Sequence, residues 1–189
     1  MQDFSLFFEW GWAHIISWDA LDHLLFIAAL AVVFQLDRWK EVLVLVTAFT
    51  IGHFITLWLS VTGAVPLPAE VVEFVIPMTI VITAAVNMLR LSERFSIQIH
   101  YILALGFGLV HGLGYANTLR FSLTEGQSIG SALLGFNIGV ELGQLLVVAL
   151  MLTAGAVITR IGIKKLWWEQ GVSALIFVRA TLLAIERFP

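Results

Sequence analysis

Seven ionisable side chains stand within or at the ends of long apolar stretches: Asp22, His23, His53, Glu73, His111, Glu141 and Arg179. Asn87, Asn137 and Gln144 lie inside such stretches as well. A charged group near the bilayer centre costs about 2.5–3.5 kcal/mol on insertion scales, so such residues mark function by default. Imidazole nitrogens combined with carboxylate oxygens suit borderline divalent ions: nickel, cobalt, zinc or iron. The chain has no cysteine, which removes the thiolate ligands favoured by Cu(I) and by structural zinc. The spacing groups these residues. Asp19, Asp22 and His23 share one helix face at i, i+3, i+4, and Asn137, Glu141 and Gln144 share another. Thr47, Thr50, His53 and Thr56 step by three along a polar strip able to hold an imidazole or hydrate a path.

Each group also has a purely structural reading. Asp22 and His23 could cap a helix N-terminus. His53 and His111 could bond neighbouring carbonyls or threonines. Glu73 could be solvated at the interface, and Glu141 could pair with Arg179 at similar depth. His14 reads as an interfacial histidine, and His100 as a structural one at the inner boundary.

The elements that must position these groups follow from composition. The 189 residues are 60% hydrophobic and 12% charged, with mean hydropathy +0.97, whereas soluble domains carry about a quarter charged residues. The net charge of -3 gives no case for nucleic-acid binding. A spanning helix needs roughly 20 apolar residues. Six stretches qualify, at about 20–36, 42–63, 71–90, 97–118, 129–158 and 166–186. Their apolar runs are continuous rather than alternating, which argues against a β-barrel. The predicted fold is all-α: a polytopic membrane bundle of about six transmembrane helices in a single domain, 1–189. An aromatic-rich interfacial segment, 1–18, precedes the helices.

Arg38, Lys40, Arg90, Arg94, Arg160, Lys164 and Lys165 fall on one side of this topology, and Arg120 and Arg187 on the other. The positive-inside bias then places both termini outside the cytoplasm. It also brings polar groups of five helices into the outer half of the membrane. Gly135, Gly139 and Gly143, and Gly108 with Gly112, form small-residue ladders that allow close helix approach, within the chain or in a homo-oligomer.

At these motifs the sequence resembles the HupE/UreJ family of small membrane proteins. The stretches are 14–26 (HIISWDALDHLLF), 47–57 (TAFTIGHFITL), 72–77 (VEFVIP), 107–114 (FGLVHGLG) and 136–144 (FNIGVELGQ). The likeness covers about residues 9–150. It implies a nickel permease of a bacterial inner membrane with a polar core of Asp22, His23, His53, Glu73, His111 and Glu141. Asp19, Thr50, Asn137, Gln144 and Arg179 would support that core. The first motif also looks like the His-x-x-x-x-Asp-His signature of larger nickel/cobalt permeases, although eight residues separate His14 from His23 here.

The expected function is therefore a transporter whose partners are a divalent metal ion and the lipid bilayer. The sequence has no G-x-x-x-x-G-K-[ST] loop, so transport would be passive or ion-coupled. One alternative is an intramembrane zinc hydrolase with Glu73 or Glu141 as base. Another is an accessory protein that binds metal without moving it.

Overall fold

The computed structural model describes residues 2–65, 68–115, 118–119, 122 and 127–189, apart from the side chains of Gln2 and Asp19. Pro66, Leu67, Arg120, Glu125 and Gly126, between the predicted spans, lie outside the described residues. The fold is all-helical. In chain order the main helices are α1 (Gln2–Ile16), α2 (Leu21–Ala31), α3 (Trp39–Val61), α4 (Ala69–Met88), α5 (Ile97–Gly114), α6 (Ile129–Arg160) and α7 (Lys165–Glu186). Helices α3 to α7 are each long and apolar enough to cross a membrane.

The first apolar stretch departs from what the sequence predicts. Apolarity from residue 20 onward suggests one straight span, but α2 ends at Ala31 and is only 11 residues long. It meets α1 at a bend of 68°, so the pair is either one broken span or a re-entrant loop. Ser17 turns extended, at φ -84° and ψ 155°, and a 3-10 turn over Trp18–Ala20 follows.

The expected interfacial segment is thus a packed helix. Its Phe4, Phe8 and Ile15 lie against Gly135, Gly139 and Gly143 in the same order, so α1 runs parallel to the first half of α6. A Cβ on Gly135 or Gly139 would overlap the carbonyl oxygens of Phe4 and Phe8. The other ladder works alike: Gly108 and Gly112 bring α5 onto the backbone of Phe49 and His53 in α3. Of the two partners that the sequence leaves open for these glycine faces, the chain's own helices occupy both ladders.

Two apolar clusters hold the bundle. One gathers Phe26, Leu45, Phe49, Ile80, Ala104 and Leu152. The other gathers Phe7, Ile15, Leu57, Leu133, Phe136 and Val140. Antiparallel to α7, α4 meets it at both ends, through Phe74 on Phe188 and through the Gln170 amide donating to the Asn87 carbonyl.

Candidate metal site

Four imidazoles meet where the two apolar clusters adjoin. His14 comes from the last turn of α1 and His23 from the first turn of α2, so the break between those helices folds both rings inward. His53 reaches in from α3 and His111 from α5. His23 is the hub: its ring centre is 4.7 Å from His14, 4.9 Å from His111 and 5.8 Å from His53, each pair edge to face. Phe26, Phe49 and Phe136 wall the group, and Tyr115 packs 4.3 Å from His14. His23, His53 and His111 are buried.

Hydrogen bonds fix two of the rings. Asn137 Nδ2 donates to the Leu133 carbonyl at 2.8 Å, which leaves its Oδ1 as an acceptor. His53 Nδ1 must therefore carry the proton it shares with that oxygen, at 3.0 Å, and its lone pair lies on Nε2. Thr79 spends its only proton on the Ile76 carbonyl at 2.7 Å. His111 Nε2–H accordingly donates to the Thr79 hydroxyl at 3.0 Å, and the free lone pair is on Nδ1. Both free nitrogens are buried without a hydrogen-bond partner, as are Nε2 of His14 and His23. Such orphaned atoms call for a missing water or ion. An outer partner that fixes the tautomer is also the usual arrangement for a metal-binding histidine.

The other predicted residues divide. Asp22 precedes His23 in the chain, with Oδ2 bound by Arg187 at 2.7 Å and Oδ1 buried without a partner. Directly along the α3–α6 seam, Thr50 donates to Gln144 Oε1 at 3.1 Å, and Gln144 Nε2 is a further buried orphan. Glu141 is half-buried at the end of that seam and accepts from Thr47 at 2.7 Å. It does not pair with Arg179, which lies 3.8 Å from Glu186 instead. Similar depth brought Glu141 and Arg179 together in the sequence reading, but they point to different neighbours. Glu73 is exposed on the first turns of α4, away from the rings. The side chain of Asp19 lies outside the described residues.

His14 is the residue that sequence reasoning missed. A continuous helix would hold it nine positions away from His23; the turn at Trp18–Ala20 removes that separation. Among the described residues no group of three histidine or carboxylate side chains is yet placed to hold a metal ion. The rings are packed on one another rather than converged.

The model of the HupE / UreJ protein family matches residues 1–187. The chain belongs to the HupE / UreJ family. No curated protein and no solved structure matches it. For this HupE / UreJ protein, the match together with the apolar helices establishes an integral membrane protein. The histidine chamber is formed by four of its helices, α1, α2, α3 and α5.

Proposed function

We propose that the protein is a permease for a divalent transition-metal ion, nickel before cobalt or zinc, and that the ion passes through the four-histidine chamber. The HupE / UreJ family is of the metal (nickel/cobalt) transporter type. What carries the reading to this chamber is the set of four buried imidazole nitrogens with no partner, in a protein whose lipid environment supplies none. Two imidazoles bound to one ion through bonds of about 2.0–2.1 Å have ring centres roughly 4.5–5.3 Å apart, from right-angled to tetrahedral arrangements. The spacings of 4.7 and 4.9 Å around His23 fall in that range. Side-chain rotation, without movement of the helices, then separates packed rings from converged ones. A cation entering from the non-cytoplasmic side exchanges waters for imidazoles there, with Asp22 offsetting its charge. The discontinuity between α1 and α2 fits this role, since broken helices supply the binding sites of many transporters.

Uptake of Ni(II), Co(II) and Zn(II) into proteoliposomes tests the reading. Saturable uptake lost in His53→Ala and in His111→Ala is the expected result. Tight binding at fixed stoichiometry without flux would overturn transport. Zinc retained through purification would favour the hydrolase or accessory readings. The hydrolase reading has less support, because Glu73 and Glu141, its candidate bases, are exposed or held by Thr47.

A further inference from the structure

Asp22 sits in the first turn of α2, beside the hub histidine, and its side chain is 11% exposed. One oxygen takes a 2.7 Å bond from Arg187, just beyond the end of α7, while the other is buried without a partner. These residues are 165 positions apart in the chain. Arginine keeps its charge at any accessible pH, and a buried carboxylate is costly without a counter-charge. The guanidinium on Oδ2 therefore supplies the counter-charge of Asp22, while Oδ1 stays open beside it.

We infer that Arg187 is an exchangeable internal counter-ion: it occupies Asp22 while the chamber is free of metal, and an incoming divalent ion displaces it. This rests on the metal-permease reading and names the regulation of its site. A divalent ion among the rings and a guanidinium on the adjoining carboxylate repel each other in a medium that screens poorly. Only one of them is stable there at a time. The Arg187 side chain is 30% exposed, so it can swing outward without unpacking the bundle. Glu186 adjoins it in the chain and is 62% exposed, although it already lies 3.8 Å from Arg179. The ion pair thus makes the outer mouth selective for a cation able to outcompete arginine, which favours a divalent ion over a monovalent one.

Calorimetric titration of the full chain in detergent with Ni(II) tests this. Wild type, Arg187→Gln, Arg187→Lys, Asp22→Asn and the double variant Asp22→Asn/Arg187→Gln are compared, with His53→Ala as the control for the chamber. We expect Arg187→Gln to bind Ni(II) at least fivefold more tightly than wild type, and Arg187→Lys to restore wild-type affinity. In the Asp22→Asn background, removal of Arg187 should bring no such gain. Unchanged or weaker binding by a well-folded Arg187→Gln, judged by size-exclusion profile and melting temperature, would overturn the inference. If that variant fails to fold, Arg187→Lys and the Asp22→Asn pair decide the matter: a gain from arginine removal that persists without Asp22 overturns it. Loss of binding in His53→Ala keeps the histidine cluster as the metal site whichever way Arg187 behaves, and uptake into proteoliposomes tests the permease reading separately. Absence of Ni(II) binding in every protein would end both.

Discussion

At the scale of single residues, the site depends on which nitrogen carries a proton. Asn137 faces His53 Nδ1 with an acceptor because its own amide is committed to the Leu133 carbonyl. Removing that side chain frees the ring to rotate and to change tautomer. Asn137→Ala should weaken Ni(II) binding by about 10–100-fold, the usual cost of losing a partner that orients a metal ligand, while Asn137→Asp keeps most of it. Titration of both variants in detergent checks this, and equal affinities for Asn137→Ala and wild type would remove Asn137 from the account. The sequence exposes much at this scale, because His23, His53, His111 and Asn137 stand out against apolar neighbours. It does not expose rotation about each helix axis. Glu141 and Glu73 therefore look equivalent to the histidines in sequence, whereas one is held by Thr47 and the other is exposed.

At the scale of elements, the chamber's width is set by backbone contact. Helices α3 and α5 touch through Gly52, Gly108 and Gly112, where any Cβ would overlap the opposing carbonyls of Leu105, Phe49 and His53. His53 and His111 are carried on those two helices, so the glycines fix how closely the rings approach. Gly108→Ala should lower stability by roughly 1–3 kcal/mol, the usual cost of overpacking, and should abolish metal binding by spreading the pair. Gly106→Ala, on the same helix but with open space around its Cβ, should change neither. Melting in detergent with and without Ni(II) reads both effects, and equal behaviour of the two variants would refute the close-approach argument. Five helices were legible because each is a continuous apolar run of 18 residues or more. The break at Ser17–Ala20 was not, since it contains neither glycine nor proline and is imposed by packing of α1 against α6.

At the scale of the whole molecule, the bent pair decides the topology. If α1 and α2 form one broken span, the chain crosses six times and its termini share a side; if they return as a re-entrant loop, there are five crossings and the termini are opposed. Neighbouring contacts favour the single span. Phe4 is level with Gly135 near the start of α6. Further along, Asp22 is reached by Arg187 from the end of α7. Deeper still, the Ala29 carbonyl accepts from Asn87 Nδ2 at 2.8 Å, near the other end of α4. The path thus leads, through the bend, from the side of Phe4 to the side of Arg38. The basic residues Arg38, Lys40, Arg90, Arg94, Arg160, Lys164 and Lys165 flank the far side, which the positive-inside bias assigns to the cytoplasm. Fusions of alkaline phosphatase to the N-terminus and to the C-terminus should therefore both be active in a bacterial host, and the corresponding fluorescent-protein fusions dark. One active and one inactive phosphatase fusion would make α1 and α2 a re-entrant loop, and would move the histidine chamber from a crossing path to the floor of a pocket.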